Sequence, residues 1–247
     1  MSTTLIMLDT RDSVNPDEPH NAHFNLNLKM NELTNTHMGL SQVQFSNTVY
    51  PINSNYNTLI YQENSGASTI TLTIVPNNYT GSQLATYLSI NMSAATLNGI
   101  TYTVTYDSQS KKLVFSLSVL NFRILPTSTC LLELGISKLG MTIAATSKIG
   151  DFPVELSGSK FIDVISNISC RHISSSDYSN ILVRIPLNVG FGEVVIYEPT
   201  NPILFNIFQD NLSRVELRLI DDRRNLFVLP ANSSVGYQFI TQYLGAS

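Results

Sequence analysis

Residues 100–119, ITYTVTYDSQSKKLVFSLSV, decide the fold. Ile100, Tyr102, Val104 and Tyr106 alternate with Thr101, Thr103 and Thr105. Residues 107–111 then supply turn formers, and Leu113, Phe115, Leu117 and Val119 resume the alternation. A period of two with one apolar and one hydroxyl-rich face marks half-buried antiparallel strands joined in a hairpin. Working outward, the same alternation recurs at Phe24, Leu26 and Leu28, at Ile70, Leu72 and Ile74, and at Val215, Leu217 and Leu219. Weaker strands are expected at 3–8, 40–46, 57–62, 121–125, 160–166, 181–186, 193–198 and 203–208, and residues 221–225 read as the turn of a second hairpin.

Helical signals are few. Thr80-Gly81-Ser82-Gln83 has the form of a capping box, Leu84, Leu88, Met92 and Ala95 follow at helical spacing, and Asn98-Gly99 ends the run. A shorter helix is expected over 128–134, stopped by Gly135, and 137–159 reads as a long connection. No repeat or composition break divides the chain. The expectation is an all-β protein: an extended N-terminal arm (1–21), kept open by Pro16 and Pro19, then one domain (22–247). That domain is a single jelly-roll β-sandwich of two antiparallel sheets with one or two short helices on its connections.

Composition narrows the function. Of 247 residues, 43% are apolar but only 13% are charged, about half the usual ~25%, while Ser, Thr and Asn together make up about 30%. This excludes a coiled coil and a charge-rich disordered chain. A net charge of −4, with Lys and Arg scattered, offers no basic stripe for nucleic acid. The segment 64–106 lacks charge but is broken by Gly66, Pro76, Asn77, Asn78, Gly81 and Asn98, so no membrane insertion is expected. Early charges at Asp9, Arg11 and Asp12 argue against a secretory signal. The five sequons starting at Asn78, Asn91, Asn167, Asn211 and Asn232 then follow from an Asn/Ser-rich composition, and Cys130 and Cys170 are expected as reduced thiols.

A search for catalytic chemistry returns nothing. His20 and His23 lie three apart in an extended segment and face opposite ways, and His37 and His172 have no neighbouring ligand cluster. Gly190-Phe191-Gly192 is half a dinucleotide fingerprint leading into a strand, and no nucleophile elbow exists. The densest charge cluster, Asp221-Asp222-Arg223-Arg224, reads as a solvated turn or a docking contact. No catalytic residue, metal ligand or cofactor is expected, and the chain is read as a structural or binding protein, not an enzyme. Polar but uncharged faces can be dehydrated on assembly at lower cost than Lys- or Glu-rich ones.

The order of motifs adds a resemblance. A first strand runs into Asp9-Thr10-Arg11-Asp12, a Pro-containing loop precedes a strand opening at Phe24, and Val43 and Phe45 lead into Asn47-Thr48-Val49-Tyr50-Pro51-Ile52-Asn53. Pro76-Asn77-Asn78-Tyr79-Thr80 then precedes the capped helix, followed by the hairpin and Leu131-Leu132-Glu133-Leu134-Gly135. This succession resembles the penton, or vertex, proteins of virophages, Polinton-type elements and related eukaryotic DNA viruses with double-jelly-roll major capsids. Asp9, Arg11 and Asp12 look like that family's Ser/Asp-x-Arg-Asp turn, and Asn78, Tyr79 and Thr80 like its Gly-Asn-Tyr-Thr/Ser turn, with Asn77 where Gly is usual. Asn53 and Tyr56 are displaced from the family's pattern after Tyr50. The likeness covers residues 3–135 and, more weakly, 181–229.

The resemblance implies a virion protein made inside the host cell. Five copies would close each five-fold vertex of an icosahedral capsid, touching one another and the surrounding major-capsid-protein trimers. A ring of copies requires heterologous contacts, and the arm could reach a neighbour. Another single-jelly-roll minor capsid or cement protein fits nearly as well. A carbohydrate- or receptor-binding sandwich would need exposed aromatics, for which Tyr50, Tyr56, Tyr61 and Tyr79 are available, although the chain has no Trp.

Overall fold

The computed structural model describes residues 2–29, 36–64, 68–140, 145–168, 180–206 and 211–243. Cys170 and His172 lie outside them. In chain order the strands are Ser2–Asp9 (β1), Asn21–Lys29 (β2), Thr36–Ser46 (β3), Thr58–Glu63 (β4), Ser68–Thr73 (β5), Tyr102–Asp107 (β6), Lys112–Leu117 (β7), Phe122–Ile124 (β8), Ser147–Ile149 (β9), Phe161–Ser166 (β10), Ile181–Pro186 (β11), Val194–Tyr197 (β12), Phe205–Asn206 (β13), Asn211–Asp221 (β14) and Val235–Tyr243 (β15). One α-helix, Gly81–Ala95 (α1), lies between β5 and β6. The chain divides into two compact units, residues 1–49 with 159–247, and residues 50–158, where the sequence suggested one domain. Composition does not shift at 49/50 or 158/159, so the boundary leaves no mark in the sequence.

The first unit is a complete jelly roll. Setting aside the short β13, its strands pair first with last (β1–β15), second with second-last (β2–β14), third with third-last (β3–β12) and the middle two together (β10–β11). Lateral pairing then yields two sheets, β1–β15–β3–β12 and β11–β10–β14–β2, all antiparallel. This is the wrapping of a long folded-over hairpin into a two-sheet sandwich. Inward-facing alternate residues fill the core: Leu8, Val43, Phe45, Val195, Val235, Tyr237 and Phe239 from one sheet, and Phe24, Ile162, Val164, Leu182, Val215, Leu217 and Leu219 from the other. Residues 2–9, expected to be part of a free arm, are extended but paired along their length with β15, because Ile6 and Leu8 carry the inward alternation. A bulge between Gln238 and Phe239 is secured by the Ser41 hydroxyl, which donates to the Gln238 carbonyl at 3.0 Å.

The second unit occupies the connection between the third and fourth strands of the roll. It has two three-stranded antiparallel sheets, β5–β4–β8 and β6–β7–β9, and its own core around Leu59, Tyr61, Leu88, Tyr102, Phe115 and Phe122. The hairpin that opened the sequence reading is β6–β7, its turn secured by Asp107, whose carboxylate accepts from the Gln109 and Ser110 amides. Residues 128–134 form a single hydrogen-bonded turn instead of the expected second helix. Leu134 N donates to Cys130 O, and the run ends at once because Ile136 N reaches Leu131 O and Gly135 N reaches Leu132 O, a Schellman closure with Gly135 at φ +67°.

Candidate interaction surfaces

The motif residues build local structure before they build any surface. Asp9 caps the 3₁₀ turn 10–12: its Oδ1 accepts from Arg11 N (2.9 Å) and Nε (3.0 Å), and its Oδ2 from Nη2 (2.6 Å). The Arg11 hydrogen bonds hold the Asp9 carboxyl below the usual range against a modest opposing effect of burial. Thr10 between them is fully buried and its hydroxyl accepts from Val235 N at 2.9 Å, tying the first turn to the start of the last strand. Asp12 stays exposed, and Phe24 points into the core.

Thr80 and Gln83 form the capping box anticipated from their spacing: Gln83 N donates to Thr80 Oγ1 at 3.3 Å, and Thr80 N to Gln83 Oε1 at 2.9 Å. Tyr79 packs its ring on Tyr87 (centroids 5.5 Å apart) and donates to the Val75 carbonyl, while Asn78 N donates to Asn77 Oδ1. The Tyr50 carbonyl accepts from Asn53 Nδ2 at 2.9 Å. A Cβ on Gly135 would collide with the Phe152 carbonyl oxygen. Asp9, Arg11, Asp12 and Phe24 therefore belong to the sandwich, and Tyr50, Asn78, Tyr79, Thr80 and Gly135 to the inserted unit.

Asp221 is buried, and its Oδ1 accepts from both Arg223 N (2.9 Å) and Asn225 N (2.7 Å), which makes it the organiser of its turn. Asp222 accepts from Lys160 N at 3.1 Å, and Arg224 sits exposed at φ +68°. This turn does not join a paired hairpin. After one bridge, Ile220 with Leu226, Phe227 and Leu229 enter the core and carry the chain across to the other sheet. His20 is buried, whereas His23 lies on a sheet face beside Arg214 and Glu216, so the two do not share a ligand position. Among the described residues no group of three or more His, Cys, Asp or Glu could hold a metal, and no helix is long and apolar enough to cross a membrane.

The sequence reading missed the contrast between the sandwich's two outer faces, because strand pairing decides which outward residues become neighbours. On β1–β15–β3–β12, Leu5 and Met7 lie beside Ile240 and Gln238, then Gln42 and Gln44, then Val194 and Ile196. None of these is charged, and Met7 (72% exposed) and Ile196 (60%) stand in solvent. At its rim a hollow of about 280 Å³ opens over Gly236, lined by Met7, Asp9, Asp12, Gln42, Gln44 and Gln238 among others. The β11–β10–β14–β2 face is charged. Arg184 forms a two-point pair with Asp163 (2.8 and 2.9 Å) and covers the Phe161 ring, Arg214 pairs with Glu216 at 3.1 Å, and Arg218 approaches Glu216 only to 3.9 Å.

No protein-family model and no curated protein sequence matches the chain. Among solved structures the chain is similar to the crystal structure of SeMet-labelled mavirus penton protein, with a TM-score of 0.52 and 10% sequence identity over 99% of this chain and 100% of that one. At that identity the likeness shows a shared fold, spanning both the jelly roll and the inserted unit.

Proposed function

We propose that this chain is a capsid penton, a structural virion protein whose homopentamers close the five-fold vertices of an icosahedral capsid and meet the surrounding major-capsid-protein trimers. The observation carrying this reading is a complete eight-strand jelly roll, interrupted between its third and fourth strands by a compact insert, that matches a penton protein end to end. The two unlike outer faces support it, since a closed ring joins one face of each protomer to a different face of the next. A glycan-binding role draws less support: of the tyrosines available for sugar stacking, Tyr56 and Tyr61 are buried and Tyr79 lies against Tyr87.

The test is the native mass of the purified chain, alone and mixed with major capsid protein of the same particle. A species of five protomers, alone or at the vertex of an assembled capsid, is the expected result. Retention of a strict monomer on a glycan array, with no binding to capsid protein, would overturn it. Incorporation as single copies away from the vertices would point to a minor capsid or cement protein instead.

A further inference from the structure

Gly236 poses a question the fold does not answer. It sits in β15, paired on one side with Asp9 and on the other with Gln44, at an ordinary extended φ. A Cβ there would meet nothing nearer than the Gln44 carbonyl oxygen at 4.0 Å. No turn, close approach or left-handed conformation requires glycine, and a glycine within a strand weakens it relative to residues with side chains. What the missing side chain creates is the floor of the hollow, ringed by three glutamine amides, the Met7 side chain, the Asp9 carboxylate paired with Arg11 and the exposed Asp12 carboxylate. A glycine in a strand that the local backbone does not need commonly marks a place where another group approaches.

The surroundings define that group. The hollow offers amide oxygens and a carboxylate beside an apolar wall, which suits a guanidinium on an aliphatic stem. Asp9 is neutralised by Arg11, so Asp12 leaves this rim with one negative charge in excess. The other outer face carries Arg184, Arg214 and Arg218 against Asp163 and Glu216, one positive charge in excess. Arg218, about half exposed and held only loosely by Glu216, is the arginine most able to change partners.

We infer that the hollow over Gly236 receives Arg218, flanked by Arg214, from the charged sheet face of a second copy of this chain. The contact is heterologous: each copy offers the hollow on one face and the arginines on the other, as a closed ring demands. This inference rests on the penton reading and assigns its protomer interface.

The experiment compares the oligomer mass of wild type, Gly236→Leu, Arg218→Glu and the double variant Asp12→Arg/Arg218→Glu by sedimentation or native mass spectrometry, alongside thermal melting. Gly236→Leu is expected to melt at or above wild type while its association weakens by at least about tenfold. Arg218→Glu, an exposed change that leaves the core intact, should weaken association similarly, and Asp12→Arg should restore part of it. If wild type forms pentamers and both single variants form them equally well, the inference falls and the penton reading stands. If wild type does not self-associate at any concentration, with or without capsid protein, both fall.

Discussion

The jelly roll and the insert solve the same problem, unpaired strand edges, in different ways. In the sandwich, strands up to eleven residues long pair with strands far away in the chain, Ser2 with Tyr243 at the extreme, and the ladders themselves satisfy the backbone. In the insert most strands have three to six residues, and side-chain hydroxyls complete what the short ladders leave open. Ser89 and Ser93 on α1 accept from Val104 N (2.7 Å) and Tyr102 N (2.9 Å) on β6. Four helical residues rise about 6 Å and two strand residues about 6.7 Å, so serines at i and i+4 can meet every second amide of a strand. Ser128 and Thr129 do the same for β4, accepting from Ile60 N and Thr58 N. The comparison explains the composition: a charge-free, Ser/Thr/Asn-rich segment serves as edge protection built from hydroxyls instead of lysines.

The sharpest way to test the contrast is at its glycines. Gly135→Ala must hold a left-handed φ and push into the Phe152 carbonyl, and should destabilise the protein by about 3–5 kcal/mol in denaturant melts. Gly236→Ala in the sandwich has open space and extended backbone and should be neutral or slightly stabilising. Equal effects at the two positions would mean that the Schellman closure is not what fixes the 128–136 turn.

Next in size is the insert's buried carboxylate. Glu63 is fully buried, and three neutral groups donate to it: Thr96 Oγ1 (2.9 Å), Asn98 Nδ2 (2.8 Å) and Tyr102 OH (2.9 Å). Burial, together with the contact to Glu63, pushes the Tyr102 phenol well up, so it remains a donor. Glu63→Ala strands these donors and should cost about 3 kcal/mol, with Glu63→Gln recovering much of it. Asp163→Ala in the sandwich frees an arginine that already reaches solvent and should cost about 1 kcal/mol or less by the same chemical-denaturation assay.

The hydroxyl edges themselves come third. Ser89→Ala and Ser93→Ala each leave a β6 amide without its acceptor, for an expected loss of about 1–2 kcal/mol and faster hydrogen exchange at Val104 and Tyr102. Unchanged exchange would show that water replaces the serines freely.

These residues also mark the limit of what the sequence reveals. The alternation at 100–119, the capping box at Thr80–Gln83 and thirteen of the fifteen strands described above were legible, because each is written in neighbouring residues, whereas β9 and β15 were not expected from the sequence. Ser89, Ser93 and Glu63 carry no local signal. Serine in a helix reads as neutral, and a lone Glu in an apolar strand reads as exposed until Thr96, Asn98 and Tyr102 are known to meet it. The insert boundary was invisible for the same reason: both units alternate with period two, and only pairing at long separation assigns β10 to β14 and not to β8. The faces of the sandwich follow that pairing, so the hollow over Gly236 could not be read from the chain either.

The smallest expected effect returns to the sandwich rim and depends on pH. His20 is buried, with the Leu229 backbone as a ring partner and Nδ1 unpartnered, and its carbonyl accepts from Leu219 N at 2.9 Å. Burial lowers its pKa below the ordinary histidine value, against the opposing charge of Glu18 and the Leu229 contact. Above the ordinary range the ring is neutral in both folded and unfolded chains, and His20 contributes no pH dependence. As pH falls below that range the unfolded chain takes up the proton first, so stability declines until the folded-state value is passed. The Asp9–Arg11 pair acts at lower pH: Asp9, held below its usual value, contributes stability above the carboxylate range that is lost as pH falls through its folded value. Because the His20 window opens at higher pH than that of Asp9, His20→Gln should flatten the melting-temperature profile just below the ordinary histidine range, while Arg11→Ala should act on its acid limb. A His20→Gln profile superimposable on wild type would show that the ring escapes to solvent before it is protonated.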